Sequence, residues 1–425
     1  MNNSVMTFKN KIFYLSYILF IIYSSIDTTM FKYVIPSLIM QGVLVLSMLG
    51  FLYKIVIIDR PKGAEWLIIG LWLLIPTFVF LKTGYSQVLS FSVVIVGCRG
   101  IELRKIVEFF FLINVAFLIV LILFSQIGII QDLIYTRNDV TRHSLGMLYP
   151  TNLSAKIFFL VLSFIYLKKN KLTLIHVGVI TLIGWLTLKI TDGRLDTYLM
   201  IFSAFVLYFM QNNKKYRKLS ARLGIFVPII GFVVIYVLSA LYTDQSSIFR
   251  AINHVLSTRL SLGHEGIERY GAKLLGQFIY SQGYGGITGH DIYKLNIKYF
   301  YIDAAYLNIL IRFGVLFSLL LFGHSVLRLR QMYQHKRHIF IIIFSLIALN
   351  SIVSTFYFFP AHNPFILFLF AKVLTPNQGF VLTKKLQDKE YVKEALKEMF
   401  EVVQSIGKLR VKKDILHEIS KKLFV

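Results

Sequence analysis

The chain holds one cysteine, Cys98, in 425 residues, which removes disulfide frameworks, cysteine-based zinc sites and haem attachment. Charge is also scarce. Asp, Glu, Lys and Arg make up 16% of the residues, and the 21 acids are outnumbered by 46 Lys and Arg. No internal repeat or low-complexity tract is present. What fills the chain instead is apolar: 56% hydrophobic residues, 15% of all residues being aromatic. A soluble chain of this size could not hide that much apolar surface. The apolar residues fall into a dozen blocks, most of them long enough for a hydrocarbon core that needs about 20 helical residues. The blocks are continuously apolar, whereas a transmembrane β-barrel would alternate. The expected class is an all-α polytopic membrane protein.

With the N-terminus inside, about twelve transmembrane helices are expected near 12–28, 33–53, 66–81, 86–98, 107–128, 152–167, 172–189, 195–210, 223–242, 304–322, 339–354 and 363–374. The first block lacks a small-residue cleavage pattern and is followed at once by another, so it is expected to be a retained helix. The net charge of +25 could signal nucleic acid, but most Lys and Arg fall in alternate connections. Lys9, Lys54, Arg60, Arg104, the Lys214 to Arg222 cluster and Arg328 to Arg337 belong to one side. The positive-inside rule accounts for that pattern without a nucleic-acid partner. Residues 1–375 thus form a membrane domain. Residues 376–425 are expected to be a cytoplasmic amphipathic helical tail, with Val392, Leu396, Met399, Phe400 and Val403 at helical spacing. That tail would lie on the membrane surface and inner loops, or dock a cytoplasmic partner.

Two outer connections, 131–151 and 243–303, are long enough to hold chemistry. The second carries a helical pattern of its own, with Ser246 and Ser247 as caps before Ile248, Phe249, Ile252, Val255 and Leu256, and is expected to form a small folded cap. Arginine on the outer side runs against the topological bias. One explanation is interfacial anchoring to lipid phosphates, which suits Arg137 and Lys294. The other is convergence on a bound phosphate or pyrophosphate, which the planar guanidinium matches bidentately; Arg142, Arg194 and Arg259 are the candidates. Lys156 and Arg312 fall within apolar blocks, where a charge must be paired or face a cavity.

Several stretches resemble the oligosaccharide repeat-unit polymerases of capsule and exopolysaccharide assembly, within the wider O-antigen polymerase and ligase group. They are Arg142-His143-Ser144-Leu145-Gly146 running to Pro150-Thr151-Asn152, the Thr191-Asp192-Gly193-Arg194 turn, Leu256-Ser257-Thr258-Arg259-Leu260 with Tyr270-Gly271 and Gly276-Gln277, and Tyr301-Ile302-Asp303-Ala304-Ala305-Tyr306-Leu307 ahead of Phe313-Gly314. The resemblance covers about residues 100 to 375. One departure is visible: where many relatives carry an acid in the penultimate span, this chain has Asn350, Ser351 and Ser354.

The resemblance implies a GT-C-like transferase at the outer face of the bacterial cytoplasmic membrane, with both termini cytoplasmic. It would move a growing glycan from undecaprenyl pyrophosphate onto a new lipid-linked repeat unit. That chemistry asks for cations to stabilise the departing pyrophosphate and a base for the acceptor hydroxyl. Arg142, Arg194 and Arg259 suit the first task. His264 is the first choice of base, in a turn after Leu262-Gly263, and Asp303 the second, with Glu265, His143 and His290 behind them, although Asp303 could equally be a helix N-cap. His143, Asn152, Arg250, Arg269, Lys273 and Tyr306 complete the set expected to bind substrate. No cofactor is expected, and no metal, because the outer acids include no Asp-x-Asp pair. The partners implied are lipid-linked oligosaccharide, membrane lipid, a chain-length regulator and a flippase. A flippase or other transporter, and the related ligase, are the competing activities. A transporter should place ionisable or broken-helix features near the bilayer midplane.

Overall fold

The computed structural model describes residues 3–373 apart from 138 and 170; the expected tail at 376–425 lies outside the described residues. The chain divides into a unit of Met1–Pro61 with Ile69–Leu374 and a second of Lys62–Ile68 with Thr375–Val425. In the second, the Lys62 amide donates to the Glu65 carboxylate at 3.2 Å. All that follows concerns the first, apart from the opening residues of the helix Ala64–Thr83, which begins in the second.

Helices dominate. In order they are α1 (Asn3–Asp27), α2 (Ser37–Tyr53), α3 (Ala64–Thr83), α4 (Ser86–Gly97) and α5 (Leu103–Gln126). A hairpin follows, β1 (Ile134–Arg137) and β2 (Val140–His143). Next come α6 (Pro150–Lys168), α7 (Leu174–Thr191), α8 (Arg194–Asn212), α9 (Lys214–Gly224) and α10 (Val227–Ala240). The second long connection contains α11 (Ser247–Val255), α12 (Arg259–Tyr270) and α13 (Gly286–Lys294). α14 (Ala305–Gln334) and α15 (His338–Asn350) precede 3-10 turns at Phe356–Phe358 and Pro364–Leu369.

Six stretches among the described residues are long and apolar enough to cross a membrane: Ser37–Ile58, Glu65–Thr83, Leu103–Gln126, Pro150–Lys168, Leu174–Thr191 and Ala305–Gln334. The pair α9 and α10, bent by 50°, raises the number to seven if counted as one span. Helix occupies every expected block, but α4 and α15 are short, and the block at 363–374 holds only 3-10 helix. The protein is therefore a helical, multi-pass membrane protein, and the twelve crossings expected exceed the helices of full spanning length.

Burial separates the centre from the rim. α14 buries 72% and α6 67% of their most apolar windows, against 22% for the α2 stretch and 28% for α5. The rim helices leave Leu38, Leu74, Leu112 and Leu182 exposed, as lipid contact requires. Inside, Tyr306, Phe322 and Tyr357 pack ring against ring at 5.3 to 5.8 Å. Some buried helix hydroxyls return to carbonyls four residues back, as Ser163 does to Phe159 and Ser325 to Leu321, so these need no water.

Hydrogen bonds sort the connections into two ends as the charges do. At one end Lys54 bonds the Arg99 carbonyl and pairs with Asp59, which Lys9 also reaches, and Arg104 bonds the Leu167 carbonyl. At the other end the hairpin meets the turn between α7 and α8, and Leu148 meets Gly286. The second end carries both long connections.

α14 is not one continuous helix. Gly314 sits at φ 90° and ψ 172°, a conformation that breaks it in the middle. The segment 273–277 fills the break: Val315 and Leu316 amides donate to the Lys273 and Leu274 carbonyls, and the Gln277 amide to the Arg312 carbonyl. Backbone groups freed at membrane depth must find such partners, because hydrocarbon offers none. The approach tolerates no side chain: a Cβ on Gly276 would lie 2.1 Å from the Arg312 carbonyl oxygen, and one on Gly314 2.2 Å from the Gly276 nitrogen.

Candidate functional site

The site begins with the hairpin. Antiparallel register pairs Tyr135 with Arg142 and Arg137 with Val140, which puts all four side chains on one face. Asp139 supplies the left-handed residue of the turn at φ 62°. Tyr135 is buried and bonds the Tyr284 carbonyl at 2.6 Å, so the face points inward. Arg142 is carried in with it, 3% exposed. Its Nε donates to the Thr191 carbonyl at 2.8 Å, and its guanidinium lies 5.4 Å from the Tyr149 ring centroid. Its Nη2 is buried and donates to no protein group.

The turn between α7 and α8 supplies the next charges. α7 ends when Asp192 turns left-handed at φ 47°, and Gly193 lets the turn settle on α6, since a Cβ there would stand 2.3 Å from Ser154 Oγ. The Asp192 carboxylate accepts from Arg137 Nε at 2.8 Å and from Arg194 Nε at 3.0 Å. Burial pushes that carboxyl up, but the bonds from Arg194 and Arg137 outweigh it and hold it below the usual carboxylate range.

Arg259 opens α12 after two non-glycine residues in the left-handed region, Ser257 at φ 51° and Thr258 at φ 68°. Such residues cost about 1–3 kcal/mol each and persist only where surroundings demand them. Here the bend turns the Ser257 carbonyl toward Arg259 Nη1 at 2.6 Å. Buried Asn253 stands in for a helix cap, its Oδ1 accepting from the Leu260 and Ser261 amides at 3.1 Å. Arg259 Nη2 pairs with Asp303 at 3.0 Å, and Tyr299 donates to the same carboxylate at 2.9 Å. Desolvation raises the Asp303 carboxyl above its ordinary range, with Arg259 and Tyr299 pulling against it. Asp303 makes no N-cap bond; Ala304 takes the cap position of α14 without a side-chain contribution.

These groups line one cavity of about 720 Å³. Arg137, Arg142, Arg194 and Arg259 share it with Asn152, Tyr149, Tyr299, Tyr301, His254 and Asp303. Of the residues singled out from sequence, Arg142, Arg194, Arg259, Asp303 and Asn152 are thus brought together. Arg137, expected to be a lipid anchor, lines the cavity as well. His254 and Tyr149 carried no special role in the sequence. The acid Asp196, one turn into α8, is another: it accepts from Ser154 Oγ at 2.5 Å and Asn350 Nδ2 at 2.7 Å. Asn350, which stands in the span where many proteins of the resembled group carry an acid, therefore donates to an acid on a neighbouring helix.

The others lie apart from the lining. His264 sits within helix α12 and not in the polar turn expected for it, its Nδ1 3.0 Å from the Ser239 carbonyl and its Nε2 3.3 Å from Glu268. His143 bonds Asp132 at 2.6 Å, and that carboxylate also accepts from the Ser144 and Leu145 amides, stapling the loop. His290 meets the Ile134 carbonyl at 2.9 Å. Arg269 pairs with Glu265 and lies over the Phe300 ring. Arg250 is exposed on α11, and Lys273 contributes its carbonyl to the α14 break. Tyr306 is buried, its hydroxyl on the Ala348 carbonyl at 2.8 Å. Arg312 stands behind the cavity between the rings of Tyr85 and Tyr301, 4.9 and 5.4 Å from their centroids, and bonds Ser281 at 2.6 Å. Buried Lys156 donates to the Ala361 carbonyl at 3.0 Å, with Phe110 5.6 Å away.

Among the described residues no group of three His, Cys, Asp or Glu gathers as metal ligands. Comparison with family models, curated proteins and solved structures finds no match to this chain.

Proposed function

We propose that this protein is a GT-C-like polysaccharide polymerase with about twelve membrane crossings. It would join undecaprenyl-pyrophosphate-linked repeat units into capsular polysaccharide, exopolysaccharide or O-antigen at the outer face of a bacterial cytoplasmic membrane. The observation that carries the reading is the cavity: four guanidiniums in one recess, at the end of a bundle of membrane-length helices. A recess so placed suits a diphosphate whose prenyl chain stays in the bilayer, and guanidinium geometry matches phosphate oxygens two at a time.

In this reaction the acceptor hydroxyl attacks the anomeric carbon of the growing chain. A new C–O bond forms, the bond to the pyrophosphate breaks, and the electron pair leaves with the pyrophosphate oxygen. Arg142, Arg194 and Arg259 would offset the charge that develops there, the largest electrostatic demand of the step. The hydroxyl proton goes to a base. Asp303 lines the same recess as the arginines, whereas His264 does not, so Asp303 takes first place in this role. Half-buried beside Arg259 and Tyr299, with desolvation raising its carboxyl above the usual carboxylate range, it would take a proton more readily than a solvated aspartate. A chain-length regulator and a flippase are its proposed partners.

Transport of the same lipid-linked units is the second reading, and the break in α14 at Gly314 favours it, since transporters bind cargo at interrupted helices. Deleting the protein from its host and fractionating lipid-linked glycan decides between them. Loss of polymer with single units accumulating outside supports the polymerase. Accumulation inside supports the transporter, and unaltered polymer defeats both.

A further inference from the structure

The four arginines of the cavity are not equally available. Asp192 bridges Arg137 and Arg194. Every nitrogen of Arg259 is engaged: Nη2 on Asp303 at 3.0 Å, Nη1 on the Ser257 carbonyl at 2.6 Å, Nε on the Val353 carbonyl at 3.4 Å. Arg142 alone among the four keeps a buried donor, Nη2, without a protein partner. The guanidiniums of this recess are thus largely satisfied by the protein's own carboxylates and carbonyls.

We infer that anion binding in this cavity is an exchange: a diphosphate lands on the spare donor of Arg142 and displaces Asp303 from Arg259, freeing the carboxylate only when the anion is in place. Asp303 is held from two sides, by Arg259 and by the Tyr299 hydroxyl, and its side chain is 19% exposed. Losing the guanidinium to the incoming anion leaves it bonded to Tyr299 beside a new negative charge. A carboxylate so placed binds a proton more strongly. Substrate binding would thereby switch on the base, and an unloaded cavity would keep it quiet. Arg142 and Tyr149 make the landing point and Arg259 the exchanged cation. Asp192 keeps Arg137 and Arg194 in place, since it holds both of them and its own backbone carbonyl accepts from Arg137 at 2.8 Å. This regulation rests on the polymerase reading of the site, but the exchange itself can be measured without any polymer.

The test uses the full chain in lipid nanodiscs, with inorganic pyrophosphate as probe and calorimetry as readout. Asp303→Asn keeps the shape and removes the competitor, so pyrophosphate should bind roughly fivefold more tightly than to the wild type. Asp291→Asn removes an equal charge at an exposed position outside the cavity lining and should leave the affinity within about twofold. Arg259→Gln should weaken binding more in the Asp303→Asn background than in the wild type, a non-additivity that competition requires. Equal or weaker binding by Asp303→Asn, or additive effects, would overturn the exchange. Should Asp303→Asn fail to fold, the pyrophosphate-bound wild type serves: its structure should show Asp303 beyond hydrogen-bond reach of Arg259, and an intact pair there overturns the proposal. Chain extension from lipid-linked units by the wild type is assayed in parallel. Polymer without tighter binding sinks the exchange alone, and tighter binding without polymer sinks the polymerase alone.

Discussion

At the scale of single residues, the arginines of the cavity differ in what lysine could replace. Arg142 uses Nε on the Thr191 carbonyl while pointing Nη2 elsewhere, and Arg259 spreads three nitrogens over three acceptors. A lysine offers one point of charge and cannot make both contacts at once. Arg142→Lys and Arg259→Lys should therefore each lower chain extension about 10- to 100-fold, the loss of one charge-assisted hydrogen bond, with expression retained. Full polymer length from both would reduce these arginines to lipid anchors. The two carboxylates differ in pH response. Asp303 is raised, so its basic form is lost as pH falls through a value above the ordinary carboxylate range of about 3.9. Asp192 is lowered, so its clamp on Arg137 and Arg194 contributes stability above that range and is lost only at lower pH. The initial rate of extension should fall on the acid side before the fold loosens; a rate and a melting temperature that drop together would contradict this order. That Arg142, Arg194 and Arg259 would share one recess was legible in the sequence from their position on the wrong side of a charge bias, whereas Arg137, read as a lipid anchor, was missed. Which histidine or acid stood with them was not. Asp303 lines the recess, whereas His264 meets the Ser239 carbonyl outside the lining, and no spacing in the chain reports which side of α12 faces the recess.

At the scale of elements, the apolar blocks announced the helices, and Ser246 announced α11, whose first turn it caps through the Phe249 amide at 3.4 Å. The hairpin went unread. Its strands are four residues long, and a pattern so short inside a connection between helices carries little periodicity. Yet the hairpin is what turns Arg142 inward beside Tyr135. The break in α14 also went unread, because Phe313-Gly314 sits inside one long apolar block and the partner segment lies some 40 residues earlier in sequence. It makes a sharp prediction. Gly276→Ala would force a Cβ to 2.1 Å from the Arg312 carbonyl at a left-handed φ of 71°. The strain and overpacking together should cost roughly 2–5 kcal/mol and shift the melting temperature down. The neighbouring Arg312 stack behind the cavity should loosen with it, so activity should fall further than for Gly271→Ala, whose Cβ meets nothing nearer than 3.9 Å. An unchanged melting temperature for Gly276→Ala would mean that segment 273–277 does not fill the helix.

At the scale of the molecule, two ends separate by hydrogen bonding and by charge alike, and the charge bias gives them a sense. We expect the connection 243–303 outside and the basic helix α9 inside. A cysteine at Gln245 in a Cys98-free background should react with an impermeant reagent on intact cells, and one at Lys215 only after permeabilisation. The reverse pattern would invert the topology and remove the cavity from the outer face. The most direct measurement of the central claim is a reconstitution of the purified full chain in proteoliposomes with lipid-linked repeat units supplied from outside. We predict a ladder of longer glycans, one undecaprenyl pyrophosphate released per linkage formed, and no ladder from the Arg142→Lys, Arg259→Lys double variant. Lipid-linked units that cross the bilayer unextended, with no ladder from the wild type, would contradict it.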